Sequence, residues 1–200
     1  MNKLIIIGAS GHGKVVADIA ALNGYKDIVF LDNDSGIKTC AGHPVLGPDT
    51  MTSELDGDVF VAVGNAEIRK KLMERDANRI FPVLIHPSAV IAESAEVGAG
   101  SVVMAGAVIN PGARIGKGCI INTSSSVDHD CMVGDYVHIS VGAHLSGTVV
   151  VGTGTWIGAG AIVSNNVDIC ADCVIGAGAV VIKDIGEPGT YIGVPARKYK

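Results

Sequence analysis

VGAGSVVMAGAVINPGARIGKGCII, residues 97–121, decides how the chain folds. Val97, Val103, Ile109, Ile115 and Ile121 stand six apart within it, and four residues after the first four of these come Ser101, Ala107, Ala113 and Cys119. The beat extends outward in both directions. From Ile85 to Val181, seventeen consecutive positions at a spacing of six are aliphatic, and the companion four residues on is nearly always small.

A period of six fits neither the 3.6 of an α-helix nor the simple alternation of an isolated strand. It fits a hexapeptide solenoid in which each hexad makes one short strand and a corner, with the aliphatic residue inside. If three hexads close a coil, residues eighteen apart stack, and the series makes a prism roughly 25 Å long at the usual spacing of paired strands. Glycine follows the aliphatic residue at Gly98, Gly116, Gly134, Gly152, Gly158 and Gly176. That placement predicts a bend with positive φ. A valine-rich sandwich would need turn clusters every 8 to 12 residues and would not hold one register this long.

Composition narrows the function. Fifteen basic against twenty acidic residues give a net charge of -5, and between 85 and 185 the only bases are Arg114, Lys117 and Lys183, which argues against a nucleic-acid surface. No run of about 18 apolar residues would cross a membrane, and Leu4-Ile5-Ile6-Ile7 is too short for a signal-peptide core. Five cysteines, an odd number, fit a reducing cytoplasm. Cys119, Cys131 and Cys173 fall at the interior small-residue position, so Cys170-x-x-Cys173 reads as packing rather than as a metal or redox pair.

Ahead of the solenoid, residues 3–7 form an apolar run ending in Gly8-Ala9-Ser10-Gly11-His12-Gly13-Lys14, followed by Val15, Val16, Ile19 and Leu22 at helical spacing. This is strand, glycine turn, helix. Further strands are expected at Ile28 to Leu31, ending at Asp32, and at Asp58 to Val63, with a helix over 66–76. Residues 1–80 therefore make a small Rossmann-like α/β domain, and 81–200 make the solenoid with its C-terminal cover. The glycine turn is a ready anion site, because the helix behind it presents unpaired N–H groups. Its G-x-x-G-x-G spacing departs from the dinucleotide fingerprint, and so small a domain suits a mononucleotide or nucleotide-sugar better than NAD.

Within the solenoid, one segment turns polar: Asn122-Thr123-Ser124-Ser125-Ser126-Val127-Asp128-His129-Asp130. His129, two residues past an inward aliphatic, lies near a corner with its ring outward. Histidine suits general-base work near neutral pH, and an adjacent carboxylate can hold its tautomer.

This segment, together with the Gly11-His12-Gly13 turn, Leu31-Asp32, Val63-Gly64-Asn65 and Gly193-Val194-Pro195-Ala196, resembles the NeuD/PglD-type sugar acetyltransferases of the hexapeptide-repeat superfamily. The resemblance covers the whole chain. It implies an α/β N-terminal domain followed by a left-handed parallel β-helix, a homotrimer with active sites between neighbouring prisms, and acetyl-CoA as donor. It implies a nucleotide-linked amino sugar as acceptor, read here as a UDP-type 4-amino-dideoxy sugar that is N-acetylated without a metal, with GDP- and dTDP-linked sugars open on the same architecture. By the same matching, His129 is the general base and Asp130 raises its basicity, where relatives often carry Glu. His138 matches an active-site polar position and is assigned to acetyl-CoA. On geometry rather than matching, Gly147, eighteen residues past His129 and so stacked over it, is assigned there with its N–H toward the developing oxyanion, and Ala159 and Ala177 on the later coils are assigned to CoA, with Arg197 and Lys198 toward its phosphates. Gly11, His12, Gly13, Asp32, Asn33, Gly64 and Asn122 are assigned to the nucleotide-sugar, Asn33 standing where relatives have a second acid.

Other readings remain open on the residues alone. Sialic acid O-acetylation uses the same architecture, a nucleotide-sugar-binding scaffold would share both domains, and His129, His138 and His144 supply three imidazoles for a zinc hydrolyase built on the prism.

Overall fold

A computed structural model describes residues 3–199, which divide into two compact units, one ending at Pro87 and the other beginning at Ser88. In the first, strand β1 (Lys3–Ile7) is central to a parallel sheet, flanked by β2 (Asp27–Leu31) and β5 (Asp58–Val61). Leu4, Ile5 and Ile6 are fully buried because both faces of a parallel strand are covered. Helix α1 (Gly11–Leu22) packs on this sheet, and α2 (Ala66–Arg75) begins at Asn65, whose side chain accepts from the Ile68 N–H at 3.0 Å. A small antiparallel ladder, β3 (Thr39–Cys40) with β4 (His43–Pro44), and a 3-10 turn over Asp49–Glu54 fill the β2–β5 connection. Neither carries enough residues to show a period in sequence. At the unit's end, both groups of the Asn23 amide bond the Ile85 backbone.

The second unit is a parallel β-helix. Its faces are ladders of two-residue strands paired at a register of eighteen: Val108 with Ser126 and then His144 on one, Arg114 with Met132 on the second, Ile120 with His138 and then Trp156 on the third. From Val103 to Val181 every sixth aliphatic residue is buried, whereas Ile91 and Val97 in the first coil are half-buried. Each buried Val or Ile contributes about 1.5–3 kcal/mol, so the regularity itself is the core. Among polar residues at the small interior position, Ser125 Oγ donates within its own coil to Asn122 O at 2.7 Å, whereas Ser101 and Thr155 are satisfied across coils. Ser101 Oγ donates to Gly116 O at 3.0 Å and Thr155 Oγ1 to Cys170 O at 3.0 Å. Cys119, Cys131 and Cys173 sit buried at this position, as the register requires, with Cys170 half-buried beside Cys173. At the C-terminal end, strand Gly189–Ile192 pairs with Cys173–Ile175, and Arg197–Lys198 pairs back on it, covering an edge that would otherwise accept another chain.

The glycines after the aliphatic residues are there for a different reason from the one expected. Positive φ falls two residues later, at every sixth position from Gly100 to Gly178. A Cβ on Gly116 would lie 2.8 Å from Gly134 C, and one on Gly152 would lie 2.3 Å from Ala171 N. These glycines let one coil's backbone press against the next. At the positive-φ corners, glycine gives way to Ser124, Asp130, Tyr136 and Thr148 in close succession. Left-handed backbone costs a non-glycine residue roughly 1 kcal/mol or more, and these four surround the polar segment.

Candidate active site

Val127 is buried and turns the chain at the corner between two faces, which throws His129 to the prism's edge, more than half exposed. Asp130 has φ 58°, and this left-handed turn swings its carboxylate back to the ring, with Oδ2 2.9 Å from His129 Nδ1. The Asp130 side chain, short as it is, thus reaches the ring. With Nδ1 engaged, Nε2 is the nitrogen left to meet a ligand. Hydrogen bonding to Asp130 raises the His129 pKa, partial desolvation opposes it, and the charges of Asp128 and Asp130 add to the rise. The neutral ring is a stronger base for it.

Gly147 lies beneath this imidazole in the next coil, its missing Cβ position 2.5 Å from Nε2 and 2.6 Å from Cε1. Only glycine leaves the ring that seat. On the other side Asp128 Oδ1 accepts from the His129 N–H at 2.7 Å and from Asn110 Nδ2 at 2.8 Å, and these bonds hold its carboxyl below the ordinary value.

His138 belongs to a different face. Its ring stacks on Trp156, one coil on, with centroids 5.7 Å apart and planes 2° from parallel. Asn122 Nδ2 lies 3.2 Å from His138 Nε2, and Trp156 Nε1 donates to Ser140 Oγ at 2.6 Å. Ala159 and Ala177 are exposed one above the other on the adjoining corner. The structure thus joins His129, Asp130 and Gly147 at one edge of the prism. Asn122 and His138, with Ala159 and Ala177, gather toward another. Lys183, Arg197 and Lys198 line a groove at the C-terminal end, where Lys198 also meets Glu187 at 2.9 Å. His144 is bonded to Ser126 on a third site, so the three histidines do not converge. Among the described residues no three His, Cys, Asp or Glu side chains form a metal-binding group.

In the first unit, the carboxyl edge of the sheet carries the other candidate residues. Asp32 braces the glycine turn: Oδ2 accepts from the Ala9 N–H at 2.7 Å and Oδ1 from the Asp34 N–H at 2.9 Å. Gly13 packs so tightly on the turn that a Cβ would stand 2.1 Å from Gly8 O, while Gly11 and Gly64 face open space. The first turn of α1 holds no acidic residue and no side-chain cap, which leaves its positive end open to an anion. His12 is half-buried, with its Nε2 atom buried and without a hydrogen-bond partner. Burial, and secondarily the Arg69 charge, push its pKa down to about 4, so His12 is neutral near pH 7. Asn33 uses both ends of its amide on Asp49, with Nδ2 donating to Oδ2 at 2.8 Å. Arg69, fully buried, donates to Val63 O and Gly64 O and fixes the Gly64 turn.

Residues 3–75 match the PglD N-terminal domain. The chain is 40% identical over 114 residues to the UDP-N-acetylbacillosamine N-acetyltransferase of Bacillus subtilis (strain 168), an alignment covering 52% of this chain and 52% of that protein. It therefore spans about half the length of that curated relative. Among solved structures, it superposes on the acetyltransferase domain of PglB from Neisseria gonorrhoeae FA1090 in complex with acetyl coenzyme A, with a TM-score of 0.96 and 45% identity over 100% of both chains. PerB from Caulobacter crescentus, in complex with CoA and GDP-perosamine, gives 0.93 and 37% identity over 100% of this chain and 98% of that one. With a glycine-turn α/β unit, a hexapeptide prism and end-to-end likeness at such identities, the chain belongs to the PglD-type sugar acetyltransferases of the hexapeptide-repeat superfamily.

Proposed function

We propose that the protein transfers the acetyl group of acetyl-CoA to the amine of a UDP-linked 4-amino-dideoxy sugar. The observation that carries this is the His129–Asp130 pair, bonded through Nδ1 at 2.9 Å, exposed, with Nε2 available above Gly147. The relatives' names support an amine over a hydroxyl, since one acts on a bacillosamine nucleotide and another binds GDP-perosamine. UDP is the reading closest to the curated relative.

In this reaction His129 Nε2 takes a proton from the acceptor nitrogen as that nitrogen adds to the thioester carbonyl, and collapse of the adduct releases CoA. Asp130 holds the ring's tautomer and stabilises the imidazolium. The Gly147 N–H is our candidate donor to the developing oxyanion. His138, stacked on Trp156, with exposed Ala159 and Ala177, forms the wall assigned to the pantetheine arm, and Lys183, Arg197 and Lys198 supply charge for phosphates. Gly11, His12, Gly13 and Gly64 are assigned to frame the nucleotide-sugar diphosphate, on a turn that the Asp32 carboxylate braces. His129 and the Ala159–Ala177 corner occupy different edges of one prism, which favours a homotrimer in which neighbouring copies complete each site. Five unpaired cysteines fit the cytoplasm.

The test is thiol release from acetyl-CoA against UDP-, GDP- and dTDP-linked amino sugars and sialic acid. Turnover with an amino sugar, reduced about 10²- to 10⁴-fold in His129→Ala, is expected. A His129→Ala variant with wild-type kcat would refute the base assignment.

A further inference from the structure

Three successive coils converge on His129, and one of their contributions is unused by the reaction as described. The His129 carbonyl accepts from the Thr148 N–H of the following coil at 2.9 Å. Its N–H turns instead to the side chain of its own neighbour, Asp128 Oδ1, at 2.7 Å. The same oxygen accepts from Asn110 Nδ2, eighteen residues earlier, at 2.8 Å. Asn110 and Asp128 already meet the ladder through their backbones, donating to Val127 O and Leu145 O. Their side-chain bond is therefore not needed to pair the coils.

This position in the hexad, directly after the aliphatic residue, holds glycine at six other places in the prism. Here it holds an amide stacked against a carboxylate. With one oxygen receiving two donors, the Asp128 side chain has a single orientation. That orientation fixes the peptide from which the imidazole projects.

Resting on the base assignment above, we infer that Asn110 and Asp128 are positioning residues: Asn110 orients Asp128, and Asp128 anchors the His129 backbone so that Nε2 stays aimed at the acceptor. The function lies in the hydrogen bonds rather than in the charge. Asparagine at 128 presents the same acceptor and should therefore substitute. Alanine should not.

The experiment compares Asn110→Ala, Asp128→Ala and Asp128→Asn with wild type and His129→Ala, in the same thiol-release assay. Asp128→Ala is expected to lower kcat about 10- to 100-fold, the usual result of a loosened catalytic group, with both KM values within about twofold. Asn110→Ala should lose about 3- to 10-fold, and Asp128→Asn should recover most of the lost kcat. Amide hydrogen exchange supplies a readout independent of turnover: exchange at the His129 N–H should accelerate in Asn110→Ala and Asp128→Ala but not in Asp128→Asn.

Unchanged kcat in Asp128→Ala, while His129→Ala is inactive, overturns the relay and leaves the base assignment standing. Equal losses in Asp128→Ala and Asp128→Asn overturn it in favour of the charge. A rise confined to one KM would make Asp128 a substrate contact instead. Full activity in His129→Ala would instead sink the base assignment, and the relay's catalytic purpose with it.

Discussion

A methyl group added to Gly147 would stand 2.5 Å from Nε2 of His129, eighteen residues earlier in the chain and one coil away. Gly147 has no positive φ, so alanine suits its backbone, and the three atoms nearest the added methyl all belong to the imidazole. Gly147→Ala should fold with a thermal midpoint near wild type yet lose roughly 10²-fold in kcat, because the ring must tilt away from its seat. A melting curve paired with steady-state kinetics checks this. Normal turnover would mean that the ring is not held there during catalysis.

The carboxylate on Nδ1 gives the reaction a pH signature. His129 accepts a proton only when neutral, and Asp130 raises its pKa, so the acid limb of kcat/KM should lie above that of an ordinary imidazole. Asp130→Asn removes the largest cause of that rise, while the Asp128 charge remains. The limb should therefore move to lower pH, and the plateau should fall as the tautomer is held less firmly. A limb that stays in place would show that another group governs it.

The stack of His138 on Trp156 tests the proposed donor site. Trp156→Ala removes the parallel face and leaves Ser140 without its indole partner. The KM for acetyl-CoA should rise about 3- to 10-fold, in line with losing a contact of 0.5–1.5 kcal/mol, with the nucleotide-sugar KM unchanged. An unaltered donor KM would remove this face from the acetyl-CoA site.

Asp32 tests the proposed division of labour between the units. Without its carboxylate the Ala9 and Asp34 N–H groups lose their acceptor and the glycine turn loosens. Asp32→Ala should raise the nucleotide-sugar KM roughly 10-fold, as for one or two lost hydrogen bonds, while sparing kcat and the acetyl-CoA KM. The reverse pattern would place the donor on the glycine turn and interchange the two assignments.

The prism was legible because one spacing governs both its inside and its stacking, so Ile85 to Val181 could be read before any strand was seen. The same arithmetic would have found residues that inspection of the polar segment missed. Trp156 is His138 plus eighteen, and Asn110 is Asp128 minus eighteen. The reason for Gly116 and Gly152 was not legible, since both tight approach and positive φ select glycine, and only coordinates separate them. Arg69 was hidden differently. It sits in Arg69-Lys70-Lys71, which reads as a solvated helix face, although its guanidinium is buried against the Gly64 turn. Asn33 looked available at the sheet edge but is occupied by Asp49, a partner sixteen residues away that no local pattern announces.

Pairing at a constant eighteen residues also shapes how the second unit comes into being. Each new coil needs only the one before it as a template, so every closure spans a short loop and growth can proceed from whichever coil forms first. The Asn110, Asp128–His129 and Gly147–Thr148 layers are successive steps in that growth. The edge that carries His129 is thus complete only once three neighbouring coils have joined, whichever of them forms first, and a defect in the middle layer should divide melting into two blocks instead of one.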